Sequence, residues 1–526
     1  MTDTIRFASL VLPERERTAF LAEVRTQVSP EHYQRIEGMS EAIPELLGLL
    51  DQNGMTIAQL RRLVFGSCSE TTRTVCQYPP PSDEPEDKPK TKGHGRNGAR
   101  NYTGARRVSV AHPSLKPGVV CPQCKKGKLR RKRRSAVTIH VTAQPPIGAV
   151  IHELEALRCD MCGQTFTAPP PPEAGTEKYD LSVGVLVSLL RYGSGMPFYR
   201  LERLQHSLGV PLPAATQWGL VEEAAKAAQP VFDHLSYLAA QAPTLYNDDT
   251  AMRVGALRQK IKAEVDPQRT GIFTTGIVAN AQEHAIALFF TGRRHAGENL
   301  DRLLRSRQPE LPTPLQMCDG LTRNQPKEFA TIVGNCLIHA RRAFVDVTPN
   351  FPEECRYVLE SLRDIYRLDS RTKEQNLCPE QRLQFHQSHS QPVMEKLHTW
   401  LENQIEQKKV EPNSGLGKAI TYMLGHWERL TLFLRKAGAP LDNNVTERTL
   451  KMAILHRRNS LSYKTERGAQ VGDLFMSLIH TCRLGGFNPF DYLSALVRNA
   501  AKVRTRPEQW LPWNFRETLE IDGNTS

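Results

Sequence analysis

Acidic residues near the predicted ends of strands give this chain a set of side chains that could hold divalent cations. Asp248 and Asp249 follow the apolar residues TLY, Asp319 ends the run PLQMC, and Glu447 lies in LDNNVTERTL, where a helix is predicted to start. Converging carboxylates can bind two Mg²⁺ ions, and such a pair compensates the charge of a transferring phosphoryl group. Taken singly, an Asp after a strand is usually a turn or cap residue. The set is informative only if one sheet brings its members together.

Two C-x-x-C pairs form a second candidate site. Cys121 and Cys124 are followed, after 34 residues of β-type sequence, by Cys159 and Cys162. This spacing predicts a zinc ribbon that holds one structural Zn²⁺ with four cysteines. Disulfides are the alternative. The other seven cysteines follow no spacing rule, which is typical of a reduced cytosol and favours metal binding.

A dense basic run lies between the two cysteine pairs. Eight of the ten residues in KKGKLRRKRR (125–134) are basic, and the whole chain carries a formal net charge of +13. Such a surplus favours a polyanionic partner, and Arg130, Arg131, Arg133 and Arg134 are candidate contacts to DNA phosphates. A solvated loop is the competing interpretation.

The length of 526 residues predicts about three domains. No apolar run is long enough to span a bilayer and the N-terminus does not read as a signal peptide, so we expect a cytoplasmic protein without membrane contact. Residues 1–77 read as a helical region for oligomerisation or DNA binding, 78–104 as a disordered linker, and 105–170 as the zinc-ribbon domain. Residues 173–240 read as a helical DNA-binding segment, in which a helix-turn-helix is only weakly indicated.

The pattern changes at about residue 243. Three β-type segments, PTLYNDDTAMRV, GIFTTGIVAN and HAIALFFTG, precede the helical AGENLDRLLRSR, the strand PLQMCDG, and a strand TIVGNCLIH that leads into helical ARRAFVDV. This order outlines an RNase H-like α/β sheet over 243–345. Residues 346–437 are predicted to be a helical insertion, 438–500 the second part of the core, and 501–526 a C-terminal tail.

Several blocks of the sequence resemble the IS66 family of bacterial insertion-sequence transposases. They are DDT (248–250), LQMCDG (315–320), NCLIHARRAF (335–344), LDNNVTERTL (441–450), RRNSLSYKTERG (457–468) and SLIHTCRLGGFNPFDYL (477–493). The D-N-N-x-x-E-R block is specific, and the resemblance extends back through the paired cysteines to QLRRLVFGSCSE, so it covers nearly the whole chain.

The resemblance implies a DDE catalytic triad of Asp248, Asp319 and Glu447 that binds two Mg²⁺ ions, for which Mn²⁺ can substitute. Asp249 stands where the family usually has Glu, and Ala251 where it usually has Pro. Neighbouring strand residues point to opposite faces, so only one of Asp248 and Asp249 can face the metals. The 127 residues between Asp319 and Glu447 exceed a simple sheet connection. In the family a helical insertion fills this interval.

Other residues near the triad have two interpretations. Asn443 and Asn444, with Asp442, either cap a helix or support the metal-binding carboxylates. Cys336 and His339 form a C-x-x-H motif, but no further metal ligand is evident nearby. The family carries this motif after its second Asp, and the resemblance therefore implies structural support near the active site.

Four residues of the predicted catalytic region are candidate DNA contacts. Arg341, Arg342 and Arg448 could bind phosphates or belong to solvated helix faces. Trp427 is either a core residue or a stacking platform for a flipped base.

Together these features predict a multidomain DNA transposase: helical N-terminal segments, a zinc ribbon, and an RNase H-like α/β catalytic domain interrupted by an all-α insertion. The resemblance implies double-stranded DNA as substrate (terminal inverted repeats and target), a homo-oligomer, small accessory proteins of the same element, and association with the nucleoid. A transposase-derived DNA-binding regulator without catalysis is one alternative, although it would tend to lose the carboxylates. An RNA-processing nuclease of the same fold is another, and it would not need the zinc ribbon and insertion together.

Overall fold

The computed structural model describes residues 14–30, 32–34, 36–38, 40, 72–76, 113–120, 122, 125, 128–130, 146–158, 164–175, 177–264, 269–281 and 283–524. The chain forms two units, one of residues 79–150 and one that combines residues 1–78 with 151–526. In the smaller unit, Val120 and Lys128 form an antiparallel bridge. The four paired cysteines, three of the arginines in the basic run (Arg131, Arg133 and Arg134) and the linker at 78–104 lie outside the described residues.

Five strands of the larger unit form a mixed sheet. They are β3 (Thr244–Ala251), β4 (Phe273–Ala281), β5 (His284–Gly292), β6 (Leu315–Cys318) and β7 (Ile332–Asn335), whereas β1 (Ala156–Arg158) and β2 (Thr165–Thr167) form a separate antiparallel pair. The order across the sheet is β5-β4-β3-β6-β7. The first three strands are antiparallel, and β6 and β7 run parallel to β3. The predicted mixed α/β architecture is therefore confirmed, with β3 at the centre of the sheet.

The helices before and within the sheet region are α1 (Glu14–Gln27), α2 (Thr72–Val75), α3 (Leu181–Ser188), α4 (Phe198–Ser207), α5 (Ala214–Ala240), α6 (Gly255–Ala263), α7 (Ala296–Leu304) and α8 (Leu337–Val347). One helix within the sheet region, α6, was not predicted, because its sequence is mostly polar and Ile261 is its one buried residue. Helix α5 packs against α3 and the sheet. The predicted strand TIVGNCLIH ends earlier than expected, at Asn335, and α8 begins at Leu337. The apolar run continues past the strand because Cys336 and Leu337 are themselves buried in the core.

A group of helices follows α8 in sequence and comes before the last helices of the chain. It contains α9 (Pro352–Glu374), α10 (Pro379–His389), α11 (Gln391–Glu406), α12 (Gly415–Gly425) and α13 (Trp427–Leu430). Their apolar faces share one buried cluster with α8, which includes Phe344, Leu362, Leu397 and Ile420. The predicted insertion therefore shares one core with α8 and with Leu315 of β6.

The last helices of the chain are α14 (Asn444–Ser460), α15 (Glu466–Leu484), α16 (Pro489–Arg498), α17 (Ala500–Thr505) and α18 (Phe515–Asn524). Two of them, α14 and α15, pack against the sheet, one of them at its edge strand. Helix α15 covers the edge strand β5. The side chains of Asp473, Ser477 and Thr481, spaced four residues apart, accept hydrogen bonds at 2.6–3.0 Å from alternate backbone N–H groups of that strand. An open edge that would otherwise pair with another chain is thus satisfied within the protein.

Residues 501–526, expected as a tail, are folded over most of their length. Trp510 is 1% exposed, and its carbonyl accepts a hydrogen bond from Tyr492 Oη at 2.9 Å. The aromatic residues of PEQWLPWNF are therefore anchors for α17 and α18. Within the described part of the chain, no helix combines the length and apolarity that crossing a bilayer requires.

Candidate active site

The two consecutive acids of β3 point to opposite faces of the sheet. Gly276 is the register partner of Asp248, and a Cβ placed on it would lie 3.0 Å from Leu450 Cδ2 of α14. Asp248 therefore faces the side that α14 covers. Asp249 pairs with Thr275, whose hydroxyl accepts a hydrogen bond from Asn299 of α7 at 2.8 Å, so Asp249 faces the α7 side.

Asp249 is held on its own face. Its side chain is 2% exposed, with Oδ2 2.8 Å from His295 Nδ1 and Oδ1 3.7 Å from an Arg323 nitrogen. These partners lie at the start of α7 and in the short 3₁₀ turn after β6. The geometry gives Asp249 partners of its own, away from the α14 side.

Asp248 lies within β3, Asp319 directly follows the adjacent parallel strand β6, and the two share one hydrogen-bond donor. Asn324 Nδ2 lies 2.6 Å from Asp319 Oδ1 and 3.3 Å from Asp248 Oδ1. The carbonyl of Asn324 in turn accepts hydrogen bonds from Asn247 Nδ2 at 2.7 Å and Gln316 Nε2 at 2.8 Å. A buried amide network therefore fixes Asn324, and Asn324 fixes the spacing of the two carboxylates.

The electrostatics of this pair favour a bound cation. Burial, and after it the nearby charges of Asp319 and Asp249, raise the pKa of Asp248 to about 7, against hydrogen bonds that lower it. Carboxylates brought this close repel each other when both are ionised. A divalent cation removes that repulsion and prefers oxygen ligands, so these residues fit a divalent metal.

Glu447 lies in the first turn of α14, which is tied to β3. Asn443 Nδ2 donates to the carbonyl of Asn247, the residue before Asp248, at 3.1 Å. Glu447 Oε1 is buried, and none of the described residues hydrogen-bonds to it. A buried carboxylate oxygen without a donor is costly unless a cation or another donor compensates it. The helix that carries the third predicted carboxylate thus packs on the same face of β3 as Asp248, and the Glu447 side chain itself lies beside His339.

The residues before Glu447 divide between capping and cross-linking. Asp442 Oδ1 accepts the Asn444 N–H at 3.0 Å and so caps the helix. Asn443, although it occupies the cap position, makes no side-chain cap hydrogen bond and instead ties α14 to β3. The two interpretations of this segment therefore apply to different residues.

The C-x-x-H motif meets Glu447, a neighbour that sequence reasoning missed. Ligand atoms of Cys336, His339 and Glu447 lie within 4.8 Å of one another, and His339 Nε2 is 3.8 Å from Glu447 Oε1. Sulfur, nitrogen and oxygen donors together suit a transition metal such as Zn²⁺. However, burial raises the pKa of the Cys336 thiol to about 12, and its Sγ accepts the Asn443 N–H at 3.3 Å. As it stands, the motif anchors the start of α14.

The helical insertion also reaches the candidate site. A Cβ placed on Gly320, directly after Asp319, would lie 2.6 Å from Tyr422 Oη and 3.2 Å from His426 Nε2. Burial raises the pKa of Tyr422, and the charge of Asp319 raises it further. Neither Tyr422 nor His426 was expected at the site, because more than a hundred residues separate them from Asp319 in sequence.

The predicted DNA contacts are placed differently from one another. Arg341 and Arg448 line one cavity, together with Tyr246 of β3. Arg342 is half-buried, and Arg130 is exposed in the smaller unit. Trp427 packs partly buried against the helical core, with its ring centroid 4.6 Å from that of His398.

The comparisons with known proteins agree with the resemblance. Residues 179–471 match the family described as "Transposase IS66 family", which covers more than half of the chain. The chain is 24% identical to "Uncharacterized protein y4jD" of Sinorhizobium fredii (strain NBRC 101917 / NGR234), over 92% of this chain and 98% of the relative. It is 25% identical to "Uncharacterized protein y4hP" of the same organism, over 88% of each chain. The match shows that the chain belongs to the IS66 transposase family.

Proposed function

We propose that this protein is a DDE transposase that cleaves DNA at the ends of its element and joins the resulting ends to target DNA. The observation that carries the proposal is the convergence of Asp248, on β3, and Asp319, directly after the adjacent parallel strand β6, on one amide, Asn324 Nδ2. Membership of a transposase family supports the same activity.

The sheet supports an RNase H-like catalytic domain. Three antiparallel strands are followed by two strands parallel to the first, in the order β5-β4-β3-β6-β7, so the carboxyl end of β6 lies beside the second half of β3. Tyr246 pairs with Met317, and Asp248 and Asp319 each follow two residues later. The carboxyl ends of parallel strands are where an open α/β sheet forms its site. In this proposal, α14 supplies the third carboxylate from the face of the sheet.

Asp248, Asp319 and Glu447 would hold two divalent cations, Mg²⁺ or Mn²⁺. When bound, these ions supply charge compensation for the phosphoryl group and align the reacting oxygens. Asn324 sets the distance between the two aspartates, and Asn443 fixes the helix that carries Glu447. The carboxylates are thereby held before substrate arrives, which is what precise alignment requires.

One site can perform both reactions of transposition. Hydrolysis of the phosphodiester at an element end leaves a 3′-hydroxyl on the element. That hydroxyl then attacks a phosphodiester of the target, forms the new bond, and displaces the 3′-oxygen of the target strand, which leaves with a proton. Both steps are displacements at phosphorus, so the same groups serve each in turn.

We also propose a structural Zn²⁺ at Cys121, Cys124, Cys159 and Cys162, because their spacing matches a zinc ribbon. The bound DNA would be the terminal inverted repeats and the target, and pairing of two ends would require a homo-oligomer. Small accessory proteins of the same element are proposed partners on the strength of family membership.

The experiment is cleavage of duplex DNA that carries the element's own terminal repeat, in Mg²⁺, by wild type and by Asp319→Asn. The proposal expects metal-dependent cleavage that leaves a 3′-hydroxyl and is lost in the variant. Binding of the terminal DNA without any cleavage, in Mg²⁺ and in Mn²⁺, would instead favour the regulator.

A further inference from the structure

A basic cavity of about 900 Å³ lies between β3, α14 and the helical insertion. None of the three candidate carboxylates lines it, but Tyr246 of β3 and Arg448 of α14 do. Six of its lining side chains are basic and two are acidic. The basic ones are Arg341, Arg363, Arg367, Lys373, Arg382 and Arg448. The acidic ones are Asp369 and Asp442.

The cavity is built from both parts of the catalytic region. Helices α9 and α10 of the insertion supply four of the basic residues, and α8 supplies Arg341. The sheet supplies Tyr246, and α14 supplies Asn444, Val445 and Arg448. The insertion therefore forms one wall and the candidate catalytic helix the other.

Its position relative to the carboxylates follows from the periodicity of the elements. Tyr246 and Asp248 are two residues apart on β3, so they share a face and lie roughly 7 Å apart along the strand. Arg448 directly follows Glu447 on α14. A strand whose reacting phosphate lies at the carboxylates would pass its neighbouring phosphates into this cavity.

Only some of the basic side chains that line the cavity are paired with carboxylates that also line it. Asp369, whose side chain is 4% exposed, pairs with Lys373 and Arg382. Arg363 and Arg367 both contact Asp364, which does not line the cavity. Among the described residues, no carboxylate pairs with Arg448, which is exposed. Exposed ion pairs contribute little, so Arg363 and Arg367 can exchange Asp364 for a phosphate at small cost.

The size and the aromatic walls indicate which anion fits. The volume is that of a small-ligand pocket, about 300–1,000 Å³, and cannot enclose a duplex whose major groove alone is about 12 Å wide. Tyr246 and Tyr366 line it together with the arginines. Cations that follow a backbone, with aromatic rings for bases, are the combination that binds single strands.

We infer that this cavity binds a few nucleotides of single-stranded DNA next to the cleavage point, through phosphate contacts from Arg367 and Arg448 and base contacts from Tyr246 and Tyr366. This inference rests on the proposed function, and it specifies where the single-stranded DNA next to the cleavage point is bound. It gives the helical insertion a role in holding substrate.

Binding of a fluorescent single-stranded oligothymidylate to the full chain tests this, in EDTA so that no cleavage occurs, over a series of salt concentrations. In the variant Arg367→Gln/Arg448→Gln the slope of log affinity against log salt should fall by about 0.7 for each lost phosphate contact. The matched control, Arg371→Gln/Arg302→Gln, removes two exposed arginines outside the cavity, one of them from the same helix α9, and should keep the wild-type slope.

Photocrosslinking locates the strand. With 5-iodouracil in the oligonucleotide, crosslinks should map to the peptides that contain Tyr246 or Tyr366. They should disappear in Arg367→Gln/Arg448→Gln, the cavity variant. An unchanged slope in the cavity variant would overturn the inference. So would equal competition by duplex DNA, or competition by inorganic pyrophosphate with no crosslink to either tyrosine, since these outcomes assign the charge to a surface or to a small anion.

Single-strand binding can be measured separately from cleavage. The variant Asp319→Asn, which is expected not to cleave, should bind the oligonucleotide with the wild-type affinity. Suppose that wild type fails to cleave terminal DNA, whereas Arg367→Gln/Arg448→Gln shows a smaller salt slope and no crosslinks. In that case the proposed function fails and the cavity assignment remains. If cleavage is normal and the slope is unchanged, only the cavity assignment fails.

Discussion

Asp248 and Asp319 accept hydrogen bonds from the same nitrogen, Asn324 Nδ2, at 3.3 Å and 2.6 Å. The two aspartates are 71 residues apart in sequence, and Asn324 lies in a turn five residues after the second. One neutral amide thus sets the spacing of two charged groups. Its own carbonyl is held by two further amides, which leaves Asn324 little freedom to move.

Loss of this bridge should reduce activity without removing a metal ligand. We expect Asn324→Ala to lower the rate of DNA cleavage by about 10–100-fold, the usual effect of removing a group that orients a metal ligand. Raising the Mg²⁺ concentration should recover part of the rate. Thr322→Ala, an exposed change in the same 3₁₀ turn, is the control and should behave as wild type. A wild-type rate for Asn324→Ala at low Mg²⁺ would show that the bridge is dispensable.

The contact between Gly320 and the insertion predicts a suppressor pair. In Gly320→Ala the new Cβ would lie 2.6 Å from Tyr422 Oη, so Asp319 or α12 must shift. A displacement of about 1 Å at a catalytic group costs roughly a hundredfold in rate. Adding Tyr422→Phe removes the clashing oxygen and should restore much of the lost cleavage.

The suppressor pair is checked by cleavage rates of the two single variants and the double variant, with thermal unfolding measured alongside. Tyr422→Phe alone should stay folded and active enough to serve as the reference. If the double variant is no faster than Gly320→Ala, the proximity of Tyr422 does not explain the defect.

The raised pKa of Asp248 predicts a pH-dependent stability of the metal-free protein. The native pKa is about 7 and the ordinary value 3.8. The native state therefore binds more protons between these values, and the contribution of this group to stability is present at low pH and lost as the pH rises through about 7.

Asp248→Asn is neutral at every pH and should remove this dependence. In EDTA it should unfold at a higher temperature than wild type at pH 8, with a smaller difference at pH 5. Added Mg²⁺ should stabilise wild type more than the variant, because ligand that binds only the native state raises its stability. An equal difference at both pH values would contradict the assignment of the raised pKa to Asp248.

The paired cysteines predict one tightly bound Zn²⁺ per chain. Cys121→Ser or Cys159→Ser should lose the metal and the folding of that module, because a small metal-nucleated domain cannot otherwise bury enough surface. Cys378→Ser changes an exposed cysteine and should keep the full zinc content. Elemental analysis of native protein prepared without chelators is the measurement, and an absence of zinc would contradict the prediction.

The strands around Asp248 were predictable because alternating apolar residues and turn signals mark them locally. The ends of elements were less predictable. The apolar residues Cys336 and Leu337 read as more strand, although they begin a buried helix, since periodicity alone does not separate the two over so short a run. Trp510 and its aromatic neighbours could have indicated that the C-terminal segment is folded, since aromatic residues tend to be buried. The segment was instead interpreted as a tail because it is short.

The contacts that organise the site were not visible in the sequence. Asn324 sits in an ordinary turn, and its role depends on strands that pair across the sheet. Tyr422 and the basic cavity depend on how a long helical insertion folds back onto β3 and β6. No spacing rule connects such distant residues, so only the folded chain shows that they meet. Asp249 is similar, because strand alternation says that one of two acids faces α14 but not which one.

The most direct test of the central claim is the rate of Mg²⁺-dependent cleavage of terminal-repeat DNA by Asp248→Asn, Asp319→Asn and Glu447→Gln, with Asp249→Asn as the matched control. Each of the first three removes charge but keeps size, so each should bind the DNA about as well as wild type and cleave it at least roughly a thousandfold more slowly. Asp249→Asn can keep the hydrogen bond with His295 and should retain most activity. Metal-dependent cleavage that survives in Glu447→Gln, or a loss confined to Asp249→Asn, would contradict the account.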